Sequence, residues 1–336
     1  MHWEVNRTMK TQTSKTFKLA LAATAVLLTP ILAGANQPPK IANRPPKIEK
    51  SAQRAQLTVA TTASSRYTFV TIDVSGAAET FAYGVNNTRA VSGYYLDEAG
   101  NYDGFLWQKS GLQTVDYPGA ANTELGDAND WGLVIGNHGT ATTMHGATYS
   151  VVGSVWNTLP DIPGQPLNFG DGINDLGVGT GAACEGDTNV AVYDCVGWTW
   201  DRGAYWFFTV PEADAANGGT FPNGINNRGQ VVGYFEDTSG ASHGFLKNGD
   251  SFVTIDAPLA SNTYAFDIND QDDVAGFYVD QDGNYDGFVQ GSDGKFTTVD
   301  VPGADATFIF GNNDRGDLAG YFEDSSGVHG FVAFKK

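Results

Sequence analysis

From Tyr67 onward, short runs rich in aromatic and β-branched residues alternate with breaks of Gly, Asn and Asp, and runs of helix-forming composition are scarce. One stretch shows the unit. The segments "TFPNGI", "QVVGYF", "HGFL" and "SFVTID", between Thr220 and Asp256, each read as a strand and are labelled a to d. Between a and b, Asn226-Asn-Arg-Gly229 reads as a type I turn with Gly at the left-handed position of the following bulge. The same Asn-x-x-Gly stands at Asn129, Asn174 and Asn313. Arg89 and Asp272 replace its Gly in two other copies, so those two turns are expected to differ. Strand b is apolar on both faces (Val231, Val232, Tyr234, Phe235), which suits a strand with neighbours stacked on each side.

The pattern returns six times. The turn Asn recurs at Asn86, Asn129, Asn174, Asn226, Asn269 and Asn313, at spacings of 43, 45, 52, 43 and 44. A Gly before an apolar run keeps step at Gly104, Gly146, Gly197, Gly244, Gly287 and Gly330. Thr-apolar-Asp ends at Asp73, Asp116, Asp256 and Asp300, with degraded forms at Thr158 and Thr209. Four antiparallel strands in each of six copies predict an all-β fold, a six-bladed β-propeller of four-stranded blades. The domain opens on a d strand, "YTFVTID", and closes on a c strand, "HGFVAF". Residues 67–73 are therefore expected to complete the last blade and close the ring, which removes two free edges. An open β-solenoid is the alternative, and it would not need complementary ends.

The copies resemble the HAF repeat of extracellular bacterial proteins, named for His-Ala-Phe and carrying Ile-Asn-x-x-Gly-x-x-x-Gly. His-Gly-Phe stands at His243 and His329 and His-Gly-Ala at His145, whereas Asp103, Asp286 and Val196 depart from the signature. The resemblance implies secretion and a repeat fold over about residues 67–334, and it carries no catalytic residue across.

The first 66 residues are of another kind. A basic stretch after Met9, an apolar run from Leu19 to Ala33 and a small-residue ending at Ala35 read as a signal peptide over residues 1–35, with Met9 as the start. No Cys stands near the cleavage point, so no lipid attachment is expected, and no membrane span remains after cleavage. Residues 36–66, with two Pro-Pro-Lys-Ile units, read as a disordered linker, and residues 67–336 as the propeller. The expected location is extracellular or periplasmic.

Charge divides as unevenly. Residues 67–336 hold 9 of the 19 Lys and Arg and 36 of the 38 Asp and Glu, a formal charge of −27. Such a surface excludes nucleic acid and favours cationic partners. Strand alternation puts a-to-b and c-to-d loops at one end of the disc, with every base: Arg89, Lys109, Arg202, Arg228, Lys247, Lys295, Arg315, Lys335 and Lys336. The opposite end receives Asp73, Asp116, Asp256 and Asp300 from d-to-a loops, and Asp97, Glu98, Glu236, Asp237, Asp280, Asp282, Glu323 and Asp324 from b-to-c loops. That end is the expected contact face, with Asp116, Asp256, Asp300, Glu236, Asp237, Glu323 and Asp324 as its binding residues.

Within it, "DQDGNYDG" (Asp280, Asp282, Asp286) and its echo at Asp97 and Asp103 make calcium the candidate cofactor, against an acidic hairpin turn as the plainer reading. His145, His243 and His329 fall in alternate copies, about 10 Å of sheet away from the channel, so hydrogen bonding within a blade is expected of them rather than a shared metal. Cys184 and Cys195 are expected to pair across the insertion that stretches one spacing to 52. Hydrolase, protease and phosphate-loop signatures are absent from the sequence, and catalytic residues are not assignable. The function expected is a binding module for an extracellular protein, glycan or cationic ligand. A polysaccharide hydrolase or lyase using face carboxylates, and a purely structural surface protein, are the alternatives.

Overall fold

The structure, a computed structural model, describes residues 66–140, 143–185, 194–216 and 218–336, so the expected signal peptide and nearly all of the linker lie outside it. It is all-β and propeller-like. The described chain opens on β1 (Tyr67–Ile72). The first copy follows as β2 (Glu79–Val85), β3 (Val91–Leu96), β4 (Tyr102–Gln108) and β5 (Gly111–Thr114). The second is β6 (Asn122–Ala128), β7 (Leu133–Gly139), β8 (Met144–Ser150) and β9 (Val155–Thr158). The third is β10 (Leu167–Ile173), β11 (Gly179–Glu185), β12 (Asp194–Asp201) and β13 (Ala204–Phe208). The fourth is β14 (Thr220–Ile225), β15 (Val231–Glu236), β16 (Ser242–Asn248) and β17 (Ser251–Ile255). The fifth is β18 (Asn262–Ile268), β19 (Val274–Val279), β20 (Tyr285–Gln290) and β21 (Phe296–Thr298). The sixth supplies β22 (Ala306–Asn312), β23 (Leu318–Asp324) and β24 (Gly327–Lys335), and its fourth strand is β1, in the order β1-β24-β23-β22. Tyr67 lies opposite Lys335 and Ile72 opposite Gly330.

The expectation of six separate four-stranded sheets needs correction. Four sheets are four-stranded, and β6 to β13 form one sheet of eight, joined by a single parallel pair, Met144 with Leu167. The cause is local. The first N–H of a c strand is held by the start of the next copy's a strand, and two joints use an Asn side chain: Tyr102 N donates to Asn122 Oδ1 and Ser242 N to Asn262 Oδ1. Met144 N instead donates to the Pro166 carbonyl at 3.3 Å, a main-chain bond beside the Met144–Leu167 pair; Cys195 N likewise donates to Gly218 O, but there the contact stays an isolated bridge with Gly219.

Burial falls from axis to rim. The a strands are buried almost throughout, whereas β5 is exposed along its length and β9 and β13 nearly so. Each a strand carries a bulge just before its turn, and the bulged residue of one copy reaches those of others. Tyr83 packs on Phe266 and Phe310, with ring centroids 6.3 and 5.1 Å away. Above them Phe81, Phe169, Phe221, Tyr264 and Phe308 stand at one aligned position in five copies and belong to the same buried cluster, so the axis is packed with aromatic rings. The second Gly of each Asn-x-x-Gly-x-x-x-Gly lies where strand b crosses this region. A Cβ on Gly93, Gly233 or Gly320 would sit 2.1, 2.1 or 1.9 Å from a main-chain oxygen of the adjoining a strand.

Candidate functional site

Each a-to-b turn is organised by its Asn. Asn86 Oδ1 accepts the N–H groups of Thr88 and Ala90, and Asn129, Asn174, Asn226, Asn269 and Asn313 accept from the residues two and four positions on. The two turns expected to differ do not. Arg89 and Asp272 take φ of 67° and 65°, beside 75° and 74° for Gly132 and Gly229. Each Asn then spends its amide on the next copy. Asn86 Nδ2 donates to Asn129 O, Asn129 to Asn174 O, Asn174 to Asn226 O, Asn226 to Asn269 O and Asn269 to Asn313 O, all within 2.9–3.2 Å. Asn313 Nδ2 donates to Asn86 O at 2.9 Å.

The residue after each turn Asn builds a second tier. Asn87, Asp130, Asp175, Asn227, Asp270 and Asp314 are all half-buried, and the main-chain N–H of each donates to the side chain of the next, from Asn87 to Asp130 (2.7 Å) through to Asp314 and back to Asn87 (2.9 Å). Asn87 and Asn227 bridge with their amides, Asn87 Nδ2 to Asp130 and Asp314, and Asn227 Nδ2 to Asp175 and Asp270. This position is Asn or Asp in all six copies, a regularity visible in the sequence although it does not mark the residues as a ring. These residues ring the mouth of an open depression of about 70 Å³, with Asp127 and Asp267 deeper in its wall.

Below the mouth the axis gathers buried carboxyl groups. Glu124 replaces the aromatic of the other five copies; it is 2% exposed, and its Oε2 has no partner. Burial pushes its carboxyl up to about 8, with Asp171 adding to the rise. Asp171 is pushed up to about 7 by burial, against the pull of the Tyr83 hydroxyl that donates to it at 3.4 Å. Asp267, which accepts the N–H groups of Ile268 and Asn312, also lies near 7 through burial. Asp127 is held well above the usual carboxylate range by burial and by the proximity of Asp267.

At the opposite end, a residue near the start of the c strand faces a d-to-a loop. In the fourth and sixth copies it is His between two carboxylates. His243 Nδ1 lies 2.8 Å from Asp256 and Nε2 3.5 Å from Asp237; His329 Nδ1 lies 3.0 Å from Asp73 and Nε2 3.6 Å from Asp324. In the second copy His145 Nδ1 reaches Asp161 at 2.9 Å, and His138 beside it is pushed down to about 4 by burial and by His145. In the first and fifth copies the same position is Asp103 or Asp286, and its cross-strand partner changes with it. Tyr95 and Tyr278 donate to Asp103 and Asp286, where Phe235 stacks on His243 and Phe322 packs tilted against His329. Asp103 is raised by burial and then by Asp116 and Asp97; Asp116, which accepts Gly104 N, is raised by burial.

Glu236 is 4% exposed, with its carboxyl pushed up to about 7, so it lies inside rather than on the contact face. Asp237 and Asp324 cap their own loops through Ser239 and Ser326, and Asp237 is drawn down to about 2 by these bonds. Glu323 is raised by burial and by Glu79 and Asp305. Asp97 accepts the N–H and amide of Asn101, and Asp280 accepts Asp282 N and both N–H groups of Asn284, so the two acidic loops turn their first carboxylates inward as hairpin acceptors. Asp300 closes the d-to-a position of the fifth copy, next to Tyr278. Among the described residues no three His, Cys, Asp or Glu gather as a metal would require. Cys184 and Cys195 are bonded across β11 and β12. The arginines of the a-to-b turns are engaged locally: Arg89 with the fully buried Asp317, Arg228 with Asp272, and Arg315 with the Asn87 carbonyl.

No family model and no curated protein matches the chain. Solved structures do match over most of its length. A triple Arg-to-Ala variant of AofleA from Arthrobotrys oligospora has a TM-score of 0.52 at 15% identity, over 80% of this chain and 87% of that one. The β-propeller domain of the Trilobed protease from Pyrococcus furiosus, described as an open velcro topology, has a TM-score of 0.49 at 9% identity over 78% and 82%. The Aleuria aurantia lectin, in complex with Fucalpha1-6GlcNAc, has 0.46 at 12% over 76% and 94%. The likeness is one of fold.

Proposed function

We propose that the chain is an exported, six-bladed closed propeller of the HAF-repeat kind, and that it serves as a binding module for a cationic ligand or partner at the end bearing the d-to-a and b-to-c loops. Counting β6–β9 and β10–β13 as separate blades gives six units, and the relay of turn amides from Asn313 back to Asn86 supports closure. The binding reading rests on one observation. At equivalent places two copies set a His between carboxylates, whereas the first copy sets Asp103 against Asp116, which raises it. Acid against acid is unfavourable without a cation, and a protonated amine or guanidinium from outside relieves it where His does so from inside. An organic cation is the ligand class this reading takes.

The test uses a lysine-rich peptide and chitosan oligomers as probes in calorimetric titration. Binding is expected at low ionic strength, weakening with salt, and falling at least tenfold in Asp103→Asn/Asp286→Asn, while Asp256→Asn, paired to His243, stays near the parent. Absence of binding by both probes, or binding indifferent to the double variant, would overturn the reading.

A further inference from the structure

The turn end of the disc combines two features that the proposed contact face lacks. Its mouth carries Asp130, Asp175, Asp270 and Asp314 above Asp127 and Asp267, with only two Asn amides between them. Asn312, which is 4% exposed and lines the same depression, leaves its Oδ1 without a donor. The side-chain acceptors here that keep capacity call for a donor, and the arginines of the neighbouring turns, Arg89, Arg228 and Arg315, are already engaged. Beside this mouth two large apolar side chains stand in the open. Trp131 and Leu176 occupy the third position of adjacent turns and are 75% and 70% exposed, and Val152, in the loop whose Val151 N donates to Gly132 O, is 79% exposed. An apolar lip next to an acidic well fits an occupant that is basic and apolar at close spacing.

We propose that this occupant is the chain's own segment from Lys40 to Arg54, docked in cis. It carries Lys40, Arg44, Lys47, Lys50 and Arg54 against one acid, Glu49, and places Ile41 and Ile48 directly after Lys40 and Lys47. Its Pro residues restrict the backbone and lessen the entropy lost on docking. Position and reach agree. The described chain begins at Arg66, whose carbonyl accepts Lys336 N, and a d strand starts at the same end as the a-to-b turns. From β1 to the innermost strand is three strand spacings, about 14 Å, whereas the dozen or so residues from Arg54 to Arg66 span up to about 40 Å.

The experiment uses the full chain. Carbodiimide coupling followed by peptide mass spectrometry is expected to join Lys40, Lys47 or Lys50 to the mouth carboxylates within one molecule, unchanged on dilution and lost at high salt. Acrylamide quenching of Trp131, read as the difference between the parent and Trp131→Phe, is expected to rise in a variant with the five bases changed to Ser, all of them outside the described residues. No such cross-links, with Trp131 equally quenched in the parent and the five-base variant, would overturn the proposal. Links that disappear on dilution would assign the segment to a second copy, and Trp131 protection that survives the five-base variant would assign the lip to another partner; either also overturns it.

Discussion

Gly233 shows how much one missing methyl decides. Its place in β15 faces a main-chain oxygen of β14 at a distance no side-chain rearrangement can relieve, so Gly233→Ala is expected to cost about 3 kcal/mol or more, read from urea midpoints. Gly in the a-to-b turns is a different matter, because Arg89 and Asp272 hold the same left-handed backbone. Asp272→Gly relieves that strain but loses the pairing with Arg228, and a small net change is expected. Arg89→Gly relieves it too, yet leaves Asp317, 0% exposed at its side chain, without its guanidinium; a loss of about 3 kcal/mol is expected in the same assay. The Asn-x-x-Gly motif was legible because Asn organises its turn locally. Glu124 was not singled out, although the sequence places it where five copies carry an aromatic ring, because the bulge that turns the a strand toward the axis is not written in any residue type.

The strands of each copy could be read from alternation and turn residues, and β1 was expected beside β24 because a d strand at one end needs a c strand at the other. The merging of β6–β13 could not be read, since it depends on a single main-chain pair, Met144 with Leu167. Two strand-level outcomes follow. Cys184→Ser/Cys195→Ser opens a short closed loop between β11 and β12, and a loss of about 3 kcal/mol is expected under non-reducing conditions, with faster hydrogen exchange confined to those strands. Removing residues 66–72 strips the ladder from β24 and exposes a long apolar edge, so the shortened chain is expected to aggregate, seen as light scattering at temperatures where the parent stays clear.

Across the described molecule the buried acids set the response to pH. Glu124, Asp127, Asp171, Asp267 and Glu236 all have carboxyls raised in the fold above their unfolded values, so their contribution is complete below about pH 4 and is lost as pH rises through 7 to 8. His138, lowered to about 4, acts the other way between about pH 4 and 6.5, and Asp237 only between about pH 2 and 4. Five carboxyls outweigh one half-buried His, and a lower Tm is expected at pH 8.5 than at pH 6; Glu124→Gln should flatten that slope, and a Tm rising over this interval would contradict the assignment. The hydrogen bond from Lys336 to Arg66 has a mechanical consequence as well. With both ends of the described chain side by side on the outermost strands, a force pulling them apart meets the β1–β24 ladder at its tip and opens it one pair at a time, as a zip rather than a shear. The disc should therefore yield at low load in single-molecule stretching, and the rest of its sheets should come apart only after that first seam.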